Sequence, residues 1–185
     1  MDNGKSSYCR FLNGDDEGMT ELVRDYKDGL ILYINSIIHN ISLSEELTED
    51  TFVKLAVKKP KYKDKYTFRS WLYAIARNTV KDHLRHKQRY SEVYIDDTTD
   101  DIKDLEDIEQ EHIKNEDKIM LHRIIGDLTL QYRQVIVLVF FEGFSEDEAA
   151  IAMHKSKRQV QNLLYNAKRT LKTELEKRGY VYEKL

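Results

Sequence analysis

The sequence predicts an all-α protein: two small helical domains joined by a flexible acidic linker, the second ending in a helix-turn-helix. Three observations carry that expectation. Apolar residues recur at helical rather than alternating spacing. The 185 residues include only one Pro and seven Gly, few breakers for a chain of this length. Capping patterns (Ser42 with Glu45, Ser145 with Glu148, Ser156 with Gln159) stand ahead of three apolar runs. Periodicity collapses and later returns, which sets the expected domains at 1–90 and 116–185 with a linker at 91–115.

Taken in order, the polar stretch from Met1 to Gly18 reads as a loose lead-in with a short helical turn around Tyr8 to Leu12. From Met19 to Ile41 the stripes Leu22–Tyr26–Tyr33–Ile37–Ile41 and Leu30–Ile34–Ile38 make a broad apolar face on a long helix. A turn at Asn40 to Ser44 follows, and Ser42 is expected to cap the second helix. Leu47, Thr51, Leu55 and Phe52 lie on that helix's inner side. Glu45, Glu46, Glu49 and Asp50 crowd its first turns, either as favourable charges at the helix dipole or as a docking face for a basic partner.

The segment from Lys58 to Thr67 holds Pro60 and the run from Lys61 to Tyr66, too polar for core and too aromatic for an ordinary linker. It reads as a loop that touches a ligand. The next helix, capped by Thr67, is expected to bury Phe68, Leu72, Ile75 and Thr79. Trp71, Asn78, Lys81 and Arg85 then run together on a neighbouring face. Cations there can hold a phosphate backbone, an aromatic ring can stack on a base, and an Asn amide can hydrogen-bond a base edge. A solvated helix with a half-buried Trp fits the same residues.

The acidic run from Glu92 to Asp117 buries too little to offset its ordering entropy and reads as the tether. In the second domain, Ile119, Leu121, Ile124, Ile125 and Leu128 form one helix. Tyr132, Val135, Ile136 and Val139 form another, which Gly143 ends. A short helix with Ala149, Ala150 and Met153 inward, a tight turn, and a basic helix with Val160, Leu164 and Ala167 inward complete a helix-turn-helix.

Charge and composition narrow the function. The net charge of −3 averages blocks of opposite sign; the basic blocks, Lys54 to Arg89 and Lys155 to Arg178, are two cationic surfaces suited to one polyanion. A single cysteine, Cys9, excludes an internal disulfide and a Cys-rich metal site and suits a reducing cytoplasm. No signal peptide and no apolar run near the roughly 20 residues of a membrane span is visible. His83 and His86 beside Asp82 lack a third ligand at usable spacing, so no metal, cofactor or catalytic residue is expected.

Three strings carry a family resemblance: EELTEDTFVKL (Glu45 to Leu55), TFRSWLYAIARN (Thr67 to Asn78) and LTLQYRQVIVLVFFEGFSEDEAAIAM (Leu128 to Met153). In this order the chain resembles a bacterial RNA polymerase sigma factor of the extracytoplasmic-function type, from about Phe11 to Leu175. The resemblance implies a cytoplasmic, non-enzymatic protein that binds core RNA polymerase at its clamp and flap and promoter DNA both duplex and melted, with an anti-sigma factor as a further possible partner.

Residue by residue, the resemblance places Glu46, Glu49, Asp50 and Phe52 at polymerase docking. It places Tyr62, Lys63, Lys65, Tyr66, Trp71, Arg77, Asn78, Lys81 and Arg85 at the minus-ten element, with Asn78 holding a flipped base. Lys155, Ser156, Lys157, Arg158, Gln161, Asn162 and Lys168 fall at the minus-thirty-five element. The chain departs from the family pattern at Glu49, where Gln is common, at Leu128-Thr129, where Leu-Pro is common, and from Arg158 to Leu163, where a Gly-Thr-Val stands. The last departure bears on which bases are read. A stand-alone helix-turn-helix regulator of duplex operators is the alternative, and it leaves Tyr62 to Arg89 unemployed.

Overall fold

A computed structural model describes residues 4–93 and 124–178 of the chain, which divides between Ile108 and Glu109 into two compact units. The expected tether, 91–115, lies outside the described residues except for 91–93, which belong to the end of a helix rather than to a linker. All regular structure in the described residues is helical.

In the first unit, α1 spans Gly4–Leu12, α2 Glu17–Ile38, α3 Ile41–Lys58 and α4 Phe68–Val93. Far from a loose lead-in, α1 is part of the core: Tyr8 is 1% exposed and Phe11 8%. Its buried residues are Gly4, Ser7, Tyr8 and Phe11, of which only Tyr8 and Phe11 are large and apolar, too few for an apolar period to stand out. The helix lies so close to α2 that a Cβ on Gly18 would collide with the Ser7 carbonyl. Ser7 and Arg10 both bond Glu21, at 2.6 and 2.8 Å.

Helix α2 buries Leu22, Tyr26, Leu30, Tyr33 and Ile34 as its stripes require, each large apolar side chain contributing about 1.5–3 kcal/mol of transfer free energy. It stops at His39, whose φ of 58° is left-handed. The expected turn at Asn40 to Ser44 is shorter than the sequence suggested. Asn40, and not Ser42, caps α3, its Oδ1 accepting the Leu43 N–H at 2.9 Å. Asn40 competes well because Asn ranks with Ser as a cap, and Ile41, expected on the apolar face of α2, is instead 41% exposed.

The inner side of α3 carries hydroxyls as well as apolar groups. Ser44, Thr48 and Thr51 donate back to the carbonyls of Asn40, Ser44 and Leu47, at 2.6, 2.7 and 2.7 Å, so these polar residues are buried without an unsatisfied donor. The left-handed Lys59, φ 41°, ends α3. Thr67 starts α4 as expected, its Oγ1 accepting the Ser70 N–H. The buried face of α4 is Phe68, Leu72, Tyr73, Ala76, Thr79 and Val80. Ile75, expected among them, sits half-buried at the edge.

In the second unit a helical turn at residues 124–127 precedes α5, Leu130–Ile136, which continues into a π-helical turn at Val137–Phe141 closed by Glu142 N–H donating to Val137 O at 3.0 Å. Arg133 is buried and donates to the Gly126 and Leu128 carbonyls at 2.7 and 3.2 Å, satisfying acceptors at the end of the preceding turn. Gly143, φ 65°, stops the run. Then come α6, Glu146–Ala152, and α7, Lys157–Lys177, each opened by the expected two-way capping box at Ser145 and Ser156. The small residues Ala149, Ala150 and Ala152 are buried and let α6 lie close to α7, which buries Val160, Leu164, Ala167 and Leu175.

Candidate nucleic-acid interface

The loop between α3 and α4 and the outward face of α4 form one surface on the first unit. Its centre is a ring cluster. Trp71 lies 5.2 Å from Tyr62, 5.3 Å from Phe68 and 5.4 Å from Tyr8, centroid to centroid. Trp71 is half-buried among these rings. The Tyr62 hydroxyl donates to the Tyr66 carbonyl, folding the loop over itself. Tyr66 is 41% exposed with the Lys65 ammonium 5.3 Å from its ring centroid, and Lys63 is exposed beside them.

Two turns along α4 from Trp71, Asn78 is exposed and has no hydrogen-bond or ionic partner among the described residues. Its amide is therefore free to present a donor and an acceptor together. Lys81 and Arg85 extend the same face and are exposed, and Arg77 is half-buried beside it. Asp82 partly neutralises the far end, 3.5 Å from Lys54 and 4.0 Å from Arg85. The structure thus brings the loop, Trp71, Asn78, Lys81 and Arg85 onto one continuous surface.

On α3, Glu45, Glu46, Glu49 and Asp50 are exposed and make no ion pair among the described residues. Because Asn40 is the cap, the first turn of α3 holds no acid, and the dipole effect fades beyond that turn. Capping electrostatics do not account for these four carboxylates. Phe52, grouped with them in the sequence reading, is 7% exposed: it is core and supports the face from within. What the sequence reading missed is Val53 and Val57, 56% and 75% exposed. With Glu46 and Asp50 they follow spacings of four, three and four, one stripe of acid and apolar groups.

In the second unit the basic helix of the helix-turn-helix splits into two rows. Lys157 and Gln161 flank the buried side and are already engaged by α6. Lys157 Nζ is 2.8 Å from Asp147 Oδ2, and Gln161 Nε2 donates to Glu146 Oε2 at 2.7 Å. That bond and charge raise the Lys157 pKa above its ordinary value. Ser156 is occupied as the cap, accepting the Gln159 N–H, and Lys155 is half-buried. Lys168 sits 5.1 Å from the centroid of the exposed Phe140.

The outward row is Arg158, Asn162, Tyr165 and Arg169, at spacings of four, three and four and opposite Val160, Leu164 and Ala167. Arg158 and Asn162 have no partner among the described residues, and Tyr165 is 69% exposed. Tyr165 was not singled out from sequence, although an aromatic three residues after Asn162 on a polar face was the available signal.

His83 is half-buried and His86 exposed, and the described residues hold no group of three His, Cys, Asp or Glu placed to take a metal ion. No described helix is long and apolar enough to cross a membrane.

A helical chain with an aromatic and basic surface in one unit and a helix-turn-helix in the other has the features of a nucleic-acid-binding protein. Comparison with known proteins agrees. Sigma-70 region 2 matches residues 22–90 and Sigma-70 region 4 matches residues 118–171. RNA polymerase sigma-H factor of Pseudomonas aeruginosa is 25% identical over 175 residues, covering 90% of this chain and 91% of that protein. RNA polymerase sigma factor SigV of Bacillus subtilis is 26% identical over 155 residues, covering 84% and 89%. Among solved structures, the sigma factor RpoE in complex with the anti-sigma factor NepR from Bartonella quintana shares the fold with a TM-score of 0.69 at 18% identity, covering 85% of this chain and 96% of that one.

The chain belongs to the sigma-70 family and is a sigma factor of the extracytoplasmic-function type. It directs promoter-specific transcription initiation by RNA polymerase. The region 2 match, residues 22–90, takes in the stretch from Tyr62 to Arg89 that the stand-alone regulator reading left unemployed.

Proposed function

We propose that the two units divide the promoter between them, and that the chain contributes recognition and no catalytic group to transcription. The loop from Tyr62 to Tyr66, Trp71, Arg77, Asn78, Lys81 and Arg85 take the melted minus-ten strand: cations on phosphate, rings on bases, and Asn78 on one flipped base. The observation that carries this reading is Asn78, an exposed amide with no partner among the described residues, two turns along α4 from the half-buried Trp71. Burying a base edge against that amide is worth about 1–3 kcal/mol of discrimination.

In the second unit Arg158, Asn162 and the added Tyr165 and Arg169 face the major groove of the minus-thirty-five duplex, with Lys168 at its flank beside Phe140. Lys155, Ser156, Lys157 and Gln161 stand at the rim, where Ser156 acts first as a helix cap and Lys157 and Gln161 first hold α6. Glu46, Glu49 and Asp50, extended by Val53 and Val57, dock on the basic clamp of core polymerase in the cytoplasm. Because a structural neighbour of this fold, RpoE, was solved in complex with the anti-sigma factor NepR, such a protein is a further candidate partner. Reconstitution with core polymerase tests the whole reading: the full chain should form a holoenzyme that starts RNA at a defined promoter, and a chain that binds promoter duplex but not core would refute it.

A further inference from the structure

Helix α1 lies outside the region 2 match, which begins at residue 22, yet one of its faces holds the loop from residue 59 to 67 at its beginning, middle and end. At the beginning, the Lys59 ammonium lies 4.9 Å from the Phe11 ring centroid, and the buried Tyr8 hydroxyl donates to the Pro60 carbonyl at 2.8 Å. In the middle, Lys5 Nζ pairs with Asp64 Oδ2 at 2.7 Å. At the end, the Tyr8 ring packs 5.6 Å from Phe68 and 5.4 Å from Trp71, and Gly4 leaves no room for a Cβ against Phe68. Lys5, Tyr8 and Phe11 recur every three residues, so a single helical face makes all of these contacts.

The loop has little of its own to fix its shape. Between Lys61 and Tyr66 the internal bonds are Lys65 N–H to the Lys63 carbonyl and Tyr62 hydroxyl to the Tyr66 carbonyl, and Lys61, Lys63, Asp64, Lys65 and Tyr66 are exposed. Its conformation therefore depends on its neighbours: α1 through Lys5, Tyr8 and Phe11, and α4 through the Tyr62 ring packed 5.5 Å from Phe68 and 5.2 Å from Trp71. Tyr8 is suited to this: a tyrosine hydroxyl is a donor at physiological pH in any case, and burial pushes its pKa further up, to about 12.

We propose that α1 is a positioning element for single-strand readout: Tyr8 and Lys5 set the shape of the loop and the attitude of Trp71, and through them the base preference at the melted element. This rests on the assignment of that loop and Trp71 to the minus-ten strand. The residues act through the loop and need not touch DNA.

The test uses the full chain assembled with core polymerase on fork-junction promoters carrying single-base changes in the unpaired strand. Tyr8→Phe keeps the ring and deletes the donor. It should flatten discrimination at the melted bases by about two- to tenfold, the equivalent of one neutral hydrogen bond, with core affinity and upstream duplex binding unchanged. Lys5→Glu should shift the profile in the same assay, and Lys5→Glu with Asp64→Lys should restore it. Lys5 and Asp64 are both more than half exposed, so these variants remain informative if Tyr8→Phe lowers stability.

Tyr66→Ala and Lys63→Ala serve as direct loop variants. If they change the profile while Tyr8→Phe and both charge variants leave it wild type, α1 does not position the loop and the proposal fails. If the loop variants themselves leave it wild type, the minus-ten assignment fails and takes the proposal with it.

Discussion

Lys157 and Asp147 stand 2.8 Å apart, joining the first turn of the basic helix α7 to the first turn of the helix before it. Both side chains are more than half exposed, so the pair adds little to stability. Its consequence is for DNA. A phosphate approaching Lys157 must displace a carboxylate already bound there, whereas Arg158 has no such competitor among the described residues.

Arg158→Ala should therefore cost more upstream duplex affinity than Lys157→Ala and should lower the log–log salt slope by about 0.9 if Arg158 holds one phosphate. Asp147→Asn should raise affinity by freeing Lys157 and removing a negative charge near the backbone. Salt titrations of the full chain on duplex DNA measure all three. Equal losses for the two cations would mean that the ion pair is irrelevant to binding.

The stripe on α3 predicts that polymerase docking has an apolar component. Glu49→Lys with Asp50→Lys should weaken core affinity and make the remainder less salt-sensitive. Val53→Ser with Val57→Ser should also weaken it, by about 1–3 kcal/mol for two partly buried valines, without altering its salt dependence. Circular dichroism should be unchanged in both, because all four residues are exposed in the free chain. Wild-type affinity in the valine variant would confine docking to charge.

Gly18→Ala should lower the stability of the first unit by about 1–3 kcal/mol through overpacking. The added Cβ meets the backbone at Ser7 and Phe11, and backbone cannot turn aside as a flexible side chain can. The melting temperature of the full chain is the readout. An unchanged first transition would show that α1 and α2 cross less closely than described.

The contacts between α1 and α2 also predict a pH dependence. The Ser7 hydroxyl, then the Arg10 guanidinium, hold the Glu21 carboxyl below its ordinary value of 4.5. A carboxyl lowered on folding stabilises the protein above its unfolded pKa, and that contribution is lost as pH falls through the folded value. Glu21→Gln should lower the melting temperature near neutral pH and reduce the further drop between about pH 5 and pH 3. A parallel acid profile for wild type and variant would show that this carboxyl is not what acid disrupts.

How far the sequence could be read depended on how many residues shared each signal. The stripes of α2 and the capping boxes of α6 and α7 were legible because several residues repeat one message. α1 was missed as core since Tyr8 and Phe11, the large apolar members of its four buried residues, cannot outvote their polar neighbours. The start of α3 moved from Ser42 to Asn40 because two good caps lie two residues apart and the pattern alone does not rank them. The π-helical turn at Val137–Phe141 leaves no trace in a run of apolar residues that reads equally well as α-helix.

For the site, residue types were easier to read than their engagement. Asn78, Lys63, Lys65 and Tyr66 are exposed, whereas Tyr62 packs on Phe68 and Trp71, an engagement its place in a polar run does not announce. The bonds from Lys157 to Asp147 and from Gln161 to Glu146 span ten and fifteen residues across a turn, so no local pattern announces them. Val53 and Val57 pass for core until the fold shows the side of α3 on which they lie.

The measurement closest to the central claim is transcription by the holoenzyme carrying Asn78→Ala across a panel of promoters, each with one base changed in the melted element. The account predicts that discrimination collapses at a single position, by about 1–3 kcal/mol, while preferences elsewhere, core affinity and helicity stay as in the wild type. A variant that kept the wild-type ranking at every position would contradict it.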